Sequence, residues 1–339
     1  MPEIIQFTGT VLTGPDSEAR GLWSINGRLT FRQPAKAPDR ILAGWVLPGF
    51  VDAHCHIGLG VGGAVDAATA GDQARTDLIA GTLLVRDAGS PADTRWLQGG
   101  SDAEEVEPDG LVEAVRKQAR DGDGWVKLVG DWIDRYAGDL APSFPAAVVR
   151  DAVQAAHDEG ARVTAHCFAE ETLDDVLDAG IDCVEHATGL LPRHLPRFVE
   201  QRVPIVPTLI NIATFPDIAA QADPKFPAYA AHMRALWERR EERVLEAYEA
   251  GVRIYAGTDA GSVITHSRIA DEILALHAAG LPIAAALDAA CWSARTWLGA
   301  EGIAEGARAD VVLCREDPRM VPDTVRDLAH VVLGGRLVR

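Results

Sequence analysis

Pro48-Gly49-Phe50-Val51-Asp52-Ala53-His54-Cys55-His56 decides how this chain is read. An apolar run ends in two histidines two residues apart. Successive side chains of a β-strand alternate faces, so His54 and His56 project from the same one. Imidazole is the commonest metal ligand among side chains. The stretch therefore predicts a strand whose end offers two ligands to one metal. On the same alternation Cys55 faces away from both, and it is read as a small buried residue. A His-x-His pair also arises by chance on surface strands, so its meaning depends on the rest of the chain.

The rest supplies four more polar residues, each in or at the end of a strand-like run. Trp125-Val126-Lys127-Leu128-Val129 carries a single lysine. Arg162-Val163-Thr164-Ala165-His166 and Ile181-Asp182-Cys183-Val184-Glu185-His186 end in histidines, and Arg253-Ile254-Tyr255-Ala256-Gly257-Thr258-Asp259 ends in a carboxylate. The last three runs follow Gly160, Gly180 and Gly251, each closing a helical pattern. Helix, glycine, short strand and polar tip, repeated, predict an α/β chain folded as a (β/α)8 TIM barrel. In such barrels the active site lies at the C-terminal strand ends.

The order His-x-His, Lys, His, His, Asp, with the motifs Pro48-Gly49-Phe50-Val51-Asp52-Ala53-His54 and Gly257-Thr258-Asp259-Ala260, resembles the amidohydrolase superfamily. Val85-Arg86-Asp87-Ala88-Gly89 and Glu185-His186-Ala187 are most similar to its imidazolonepropionase-like and prolidase-like branch, which contains dipeptidases and carboxypeptidases. The resemblance runs from about residue 42 to the C-terminus.

It implies two divalent metal ions. His54 and His56 would hold the first, and His166 and His186 the second. Asp259 would ligate the first weakly. Lys127 would carry a CO2-derived carbamate, an anion whose two oxygens bridge both ions. Zinc suits these ligands, with iron, manganese and cobalt as alternatives. Two metals lower the pKa of a bridging water and polarise a carbonyl. Asp259 would take the proton of the attacking water and pass it to the leaving amine, base becoming acid. The implied reaction is hydrolysis of a C–N bond in an amide, cyclic amide or dipeptide through a metal-bridging hydroxide.

Each residue also has a plainer reading. Lys127 could snorkel from its strand end or pair with Asp131 or Asp134, and Asp259 could cap the following helix. A mononuclear deaminase of the same superfamily would place a glutamate three residues after the fifth-strand histidine. Here Glu170 comes four after His166, and Lys127 would have no role. A non-catalytic binding protein on the same barrel would have lost ligands that this chain retains. Three further residues are expected near the substrate: Asn211 after the seventh-strand run Val206-Pro207-Thr208-Leu209, His266 after the eighth, and Tyr136 after the fourth. His157, His194, His232, His277 and His330 are expected to be structural or exposed.

Length and composition fit this reading. A chain of 339 residues holds one barrel of typically about 250 residues and a small accessory unit. The five cysteines show no C-x-x-C spacing and read as reduced, mostly buried residues. The net charge of −18 repels nucleic acid and anionic membranes and favours solubility. Met1 to Arg20 shows no basic stretch followed by an apolar one, and no apolar run approaches the ~20 residues of a membrane span. The expected protein is cytoplasmic and acts on a small molecule without nucleic-acid or membrane partners. Its oligomeric state is left open to a homo-oligomer.

The ends of the chain read differently from the middle. Asn26-Gly27 lies between strand-like runs and predicts a type I′ hairpin. Residues 309–314 and 329–338 predict two more strands. Residues 1–45 and 305–339 are therefore assigned to one small β-sandwich domain, and 46–304 to the barrel. Predicted barrel helices cover residues 111–120, 146–159, 172–179, 234–250, 272–279 and 283–298. The third barrel strand is placed at Thr94–Leu97.

Overall fold

The computed structural model describes residues 3–91, 94 and 106–339. It consists of two compact units, one of Met1–Asp87 with Ala256–Arg339 and the other of Ala88–Tyr255.

The first unit contains two sheets built from both ends of the chain. One has the strand order Arg28–Thr30, Leu22–Ile25, Ile4–Thr8, Arg40–Ala43. The other runs Arg336–Leu337, Leu328–Leu333, Val311–Cys314, Trp45–Pro48, Val11–Gly14, Ser17–Ala19. Period-two alternation turns Ile5, Phe7 and Leu22 of the first sheet, and Val46, Val311 and Leu313 of the second, into one apolar core. Each such buried side chain contributes about 1.5–3 kcal/mol. The predicted hairpin forms at Asn26 (φ 51°) and Gly27 (φ 78°), the two positive dihedrals that a type I′ turn requires.

The Phe50–Cys55 strand of this unit is buried at every residue. It pairs in parallel with Thr82–Asp87. The intervening helix, Ala67–Ile79, starts at Asp66, whose carboxylate accepts from Thr69 N–H. Along the other edge, Ala53 N–H donates to Ala256 O, and Cys55 bridges Ala260 in parallel. The Arg253–Asp259 run thus forms no full ladder and is flanked by isolated bridges at Ile254 and Ala260. The helix expected over 283–298 is broken into Ile283–Ala290 and Trp292–Trp297. Ser293 donates from its hydroxyl to Asp288 O and from its backbone to the Asp288 carboxylate. These local bonds compete with the helical ladder at Cys291, although the apolar periodicity runs on.

The second unit is built on a parallel sheet ordered Trp125–Val129, Arg162–Cys167, Cys183–His186, Ile205–Val206. Ile254 bridges Ile205 at its edge. Helices Ala146–Asp158, Glu170–Ala179 and Leu195–Gln201 separate the strands. The seventh-strand run is shorter than predicted. It stops at Val206 because Pro207 lacks an N–H, and Thr208 then turns left-handed (φ 47°) into the helix Leu209–Ile212. Of the predicted third strand, Thr94 is buried and outside any strand, and residues 95–97 lie outside the described residues. All five cysteines are free and buried. Among the described residues no helix is long and apolar enough to cross a membrane.

After the Trp125–Val129 strand comes an antiparallel hairpin, Asp131–Asp134 with Asp139–Pro142. His232, on the helix Pro227–Ala250, ties it down. Its Nδ1 lies 2.9 Å from Asp139 Oδ1 and its Nε2 2.9 Å from Glu170 Oε2. Arg239 completes the cluster through Glu170. A ring flanked by two carboxylates is held as the cation, and hydrogen bonding to Glu170 outweighs burial to raise its pKa from 6.5 to about 9. Sequence reasoning read His232 as structural or exposed and gave it no partner.

The charged ring contributes stability that is complete below about pH 6.5 and is lost as pH rises through about 9. With discounting for solvent access this is on the order of 2 kcal/mol. His232→Gln should therefore lower the melting temperature at neutral pH, with the gap to wild type closing above pH 9. Calorimetric scans across that range check it. A gap independent of pH would contradict the assignment of charge.

Candidate metal centre

The Phe50–Cys55 strand carries Asp52 and His54 on one face, and His56 follows in the same phase. His54 Nε2 and His56 Nε2 lie 3.2 Å apart. Asp259 Oδ1 stands 3.1 Å from the first and 3.0 Å from the second. Two imidazole nitrogens and a carboxylate oxygen at such spacing match the donor set of zinc and related divalent ions, whose ligands sit about 2.0–2.2 Å from the metal. The three side chains form a group able to hold a metal ion.

The backbone aims them. Asp259 is left-handed (φ 57°), and its N–H donates to His54 O at 2.7 Å. Such strained dihedrals concentrate at functional sites. Beneath the ligands Asp52 accepts from Thr258 Oγ1 at 2.6 Å, from Thr258 N–H at 3.0 Å and from His54 N–H at 3.2 Å. Burial outweighs these donors and pushes the Asp52 carboxyl up to about 7. One buried side chain thus fastens the His54 strand to the Asp259 turn. Gly261 (φ 134°) lets that turn pass over His56, because a Cβ there would lie 2.4 Å from His56 O.

The other predicted ligands lie in the second unit. The parallel register sets Lys127 beside Thr164 and Cys183, and Val129 beside His166 and Glu185. Paired residues of a parallel sheet share a face, so Lys127, Thr164, His166 and Glu185 project from the same side. Glu185 is fully buried and accepts from Thr164 Oγ1. His186 leaves the strand with φ 64°, which brings its ring centroid 4.6 Å from that of His166. Its Nδ1 is 2.7 Å from Thr208 Oγ1. With Nδ1 engaged by that hydroxyl, the hydrogen bond fixes the ring and leaves Nε2 as the other ring nitrogen. Asp131, fully buried, accepts from Phe168 N–H and Ala169 N–H at 3.0 Å and stands 3.8 Å from His166 Nε2. Burial raises its carboxyl to about 6.

The three residues expected near the substrate differ in exposure. Tyr136 is fully exposed in the turn of the hairpin, where its N–H donates to Asp134. His266 is buried, with Nδ1 2.7 Å from Asp77 Oδ2 and Nε2 without a hydrogen-bond partner among the described residues. Asn211 lies in the short helix Leu209–Ile212. Sequence reasoning missed Asp52, Thr164, Glu185 and Thr208 as supports. For Asp52 and Thr164 the signal was there, since each sits two residues before a candidate histidine on the same face.

A family model described as the amidohydrolase family matches residues 45–338. Uncharacterized proteins of Mycobacterium tuberculosis and Mycobacterium bovis are 47% identical over 344 residues, covering 95% of this chain and 93% of theirs. Among solved structures, a Xaa-Pro dipeptidase with bound methionine superposes with TM-score 0.81 at 20% identity, covering 99% of each chain. An ochratoxinase of A. niger gives 0.78 at 18%, covering 100% of this chain and 96% of its own. These structures share the TIM-barrel α/β fold.

Proposed function

Because this chain belongs to the amidohydrolase family, hydrolases acting on C–N bonds, we propose that it is a binuclear metal-dependent amidohydrolase of the prolidase-like branch. The observation that carries metal dependence is the mutual approach of the His54, His56 and Asp259 donor atoms to within 3.0–3.2 Å of one another. These residues would hold a first divalent ion, and His166 and His186 a second, with zinc the natural occupant of such ligands. Lys127, on the same face as His166, would bridge them as its carbamate. That group forms when the neutral Nζ attacks CO2 and releases a proton.

Bound metal would lower the pKa of a coordinated water and polarise the substrate carbonyl. The rest falls to the protein. Asp259 accepts the proton of the attacking water on its carboxylate and delivers it to the leaving nitrogen. Asp52 and Thr258 keep that carboxylate in register with His54. Residues 1–45 with 305–339 form the accessory β-sandwich, and residues 46–304 carry the barrel. The prolidase-like neighbours support dipeptides and N-acyl amino acids as first substrates to test. A hydrolysis panel of dipeptides, N-acyl amino acids, lactams and lactones checks it, with turnover of at least one C–N substrate expected. Deamination without any amide cleavage would favour the mononuclear alternative instead.

A further inference from the structure

The hairpin Asp131–Asp134 with Asp139–Pro142 has two unlike faces. One is fastened to the protein at two points, Asp131 to the Phe168 and Ala169 amides and Leu140 to the apolar cluster of Phe168, Phe215 and Met233, while Asp139, on the other face, is held by His232. Alternation turns Trp132 to that second face, across from the small Ala141. There its ring lies 5.4 Å from that of His166 yet remains 58% exposed. Val129, the register partner of His166, is 45% exposed. Large apolar side chains left in water on a rigid scaffold, beside a candidate ligand, forgo burial that the fold could have used.

Resting on the hydrolase reading above, we propose that Val129 and Trp132 form an apolar wall that receives a hydrophobic group of the substrate. The selected substrates are amides bearing an aryl or branched alkyl group next to the scissile bond. Trp132 is thus a specificity contact, and the clamp of Asp139, His232 and Glu170 positions it. An aromatic wall held in place before binding discriminates at little entropic cost.

The test compares Gly-Gly, Gly-Phe and Phe-Gly with wild type, Trp132→Ala and Trp132→Phe, each first matched for fold and metal content. Wild type should prefer one of the phenylalanine dipeptides. Trp132→Ala should lower kcat/KM for that dipeptide about 10–100-fold and leave Gly-Gly within about twofold. Trp132→Phe should keep most of the preference. Equal changes on all three substrates, or none, would overturn the assignment. Calorimetric binding of free phenylalanine and glycine gives a reading independent of turnover. Wild type should bind phenylalanine more tightly, and Trp132→Ala should lose the difference. Equal binding by wild type overturns the wall. Absence of hydrolysis with the binding preference intact instead overturns the hydrolase reading alone.

Discussion

Asp259→Asn is expected to keep the fold and at least one metal ion while losing about 10²–10⁴-fold in kcat, the usual cost of removing a general acid–base. The substitution isolates proton transfer. Asparagine is among the residues that tolerate the left-handed dihedral found here, φ 57°. The backbone bond from residue 259 N–H to His54 O remains available. Its side-chain carbonyl can still face His54 and His56 at the 3.0–3.1 Å that Asp259 Oδ1 occupies. An amide cannot take a proton near neutral pH. Kinetics on any substrate found by the hydrolysis panel, with metal content measured on the same samples, decide the matter. A kcat near that of wild type would refute the proton-shuttle role.

Lys127→Ala should be comparably damaging for a different reason. An ammonium repels two dications placed a few ångströms away, so a bare lysine and a binuclear centre exclude one another. The carbamate removes the positive charge and adds a negative one. Loss of the side chain should therefore strip much of the metal together with the activity. Short carboxylic acids added to the variant should restore part of both, because they supply two oxygens to the space left behind. Full metal content and activity in Lys127→Ala would contradict the bridging role. Rescue by amines rather than acids would show that the lysine acts as a cation.

The pair at His54 and His56 was legible because a two-residue spacing has one geometric meaning on a strand. Asp52 was legible by the same rule, but its importance comes from Thr258, more than two hundred residues away, and spacing does not carry such pairings. Lys127 and His166 could be assigned to strands, while their shared face depends on the register between those strands. The seventh strand was overextended because apolar character continued past Pro207, where the missing N–H ends the ladder. The helix over 283–298 was overextended for the converse reason, since the side chain–backbone bonds of Ser293 and Asp288 break a pattern that periodicity alone would continue. The position of Trp132 beside His166 and the partners of His232 were not legible, because one depends on the face of a hairpin and the other on carboxylates from two separate elements.

The metal content of active protein tests the central claim most directly. Protein produced with zinc and bicarbonate, freed of loosely bound ions and shown to turn over, should contain two divalent ions per chain by elemental analysis. His54→Ala and His166→Ala should each lower that number. One ion, or none, in fully active protein would contradict the binuclear account.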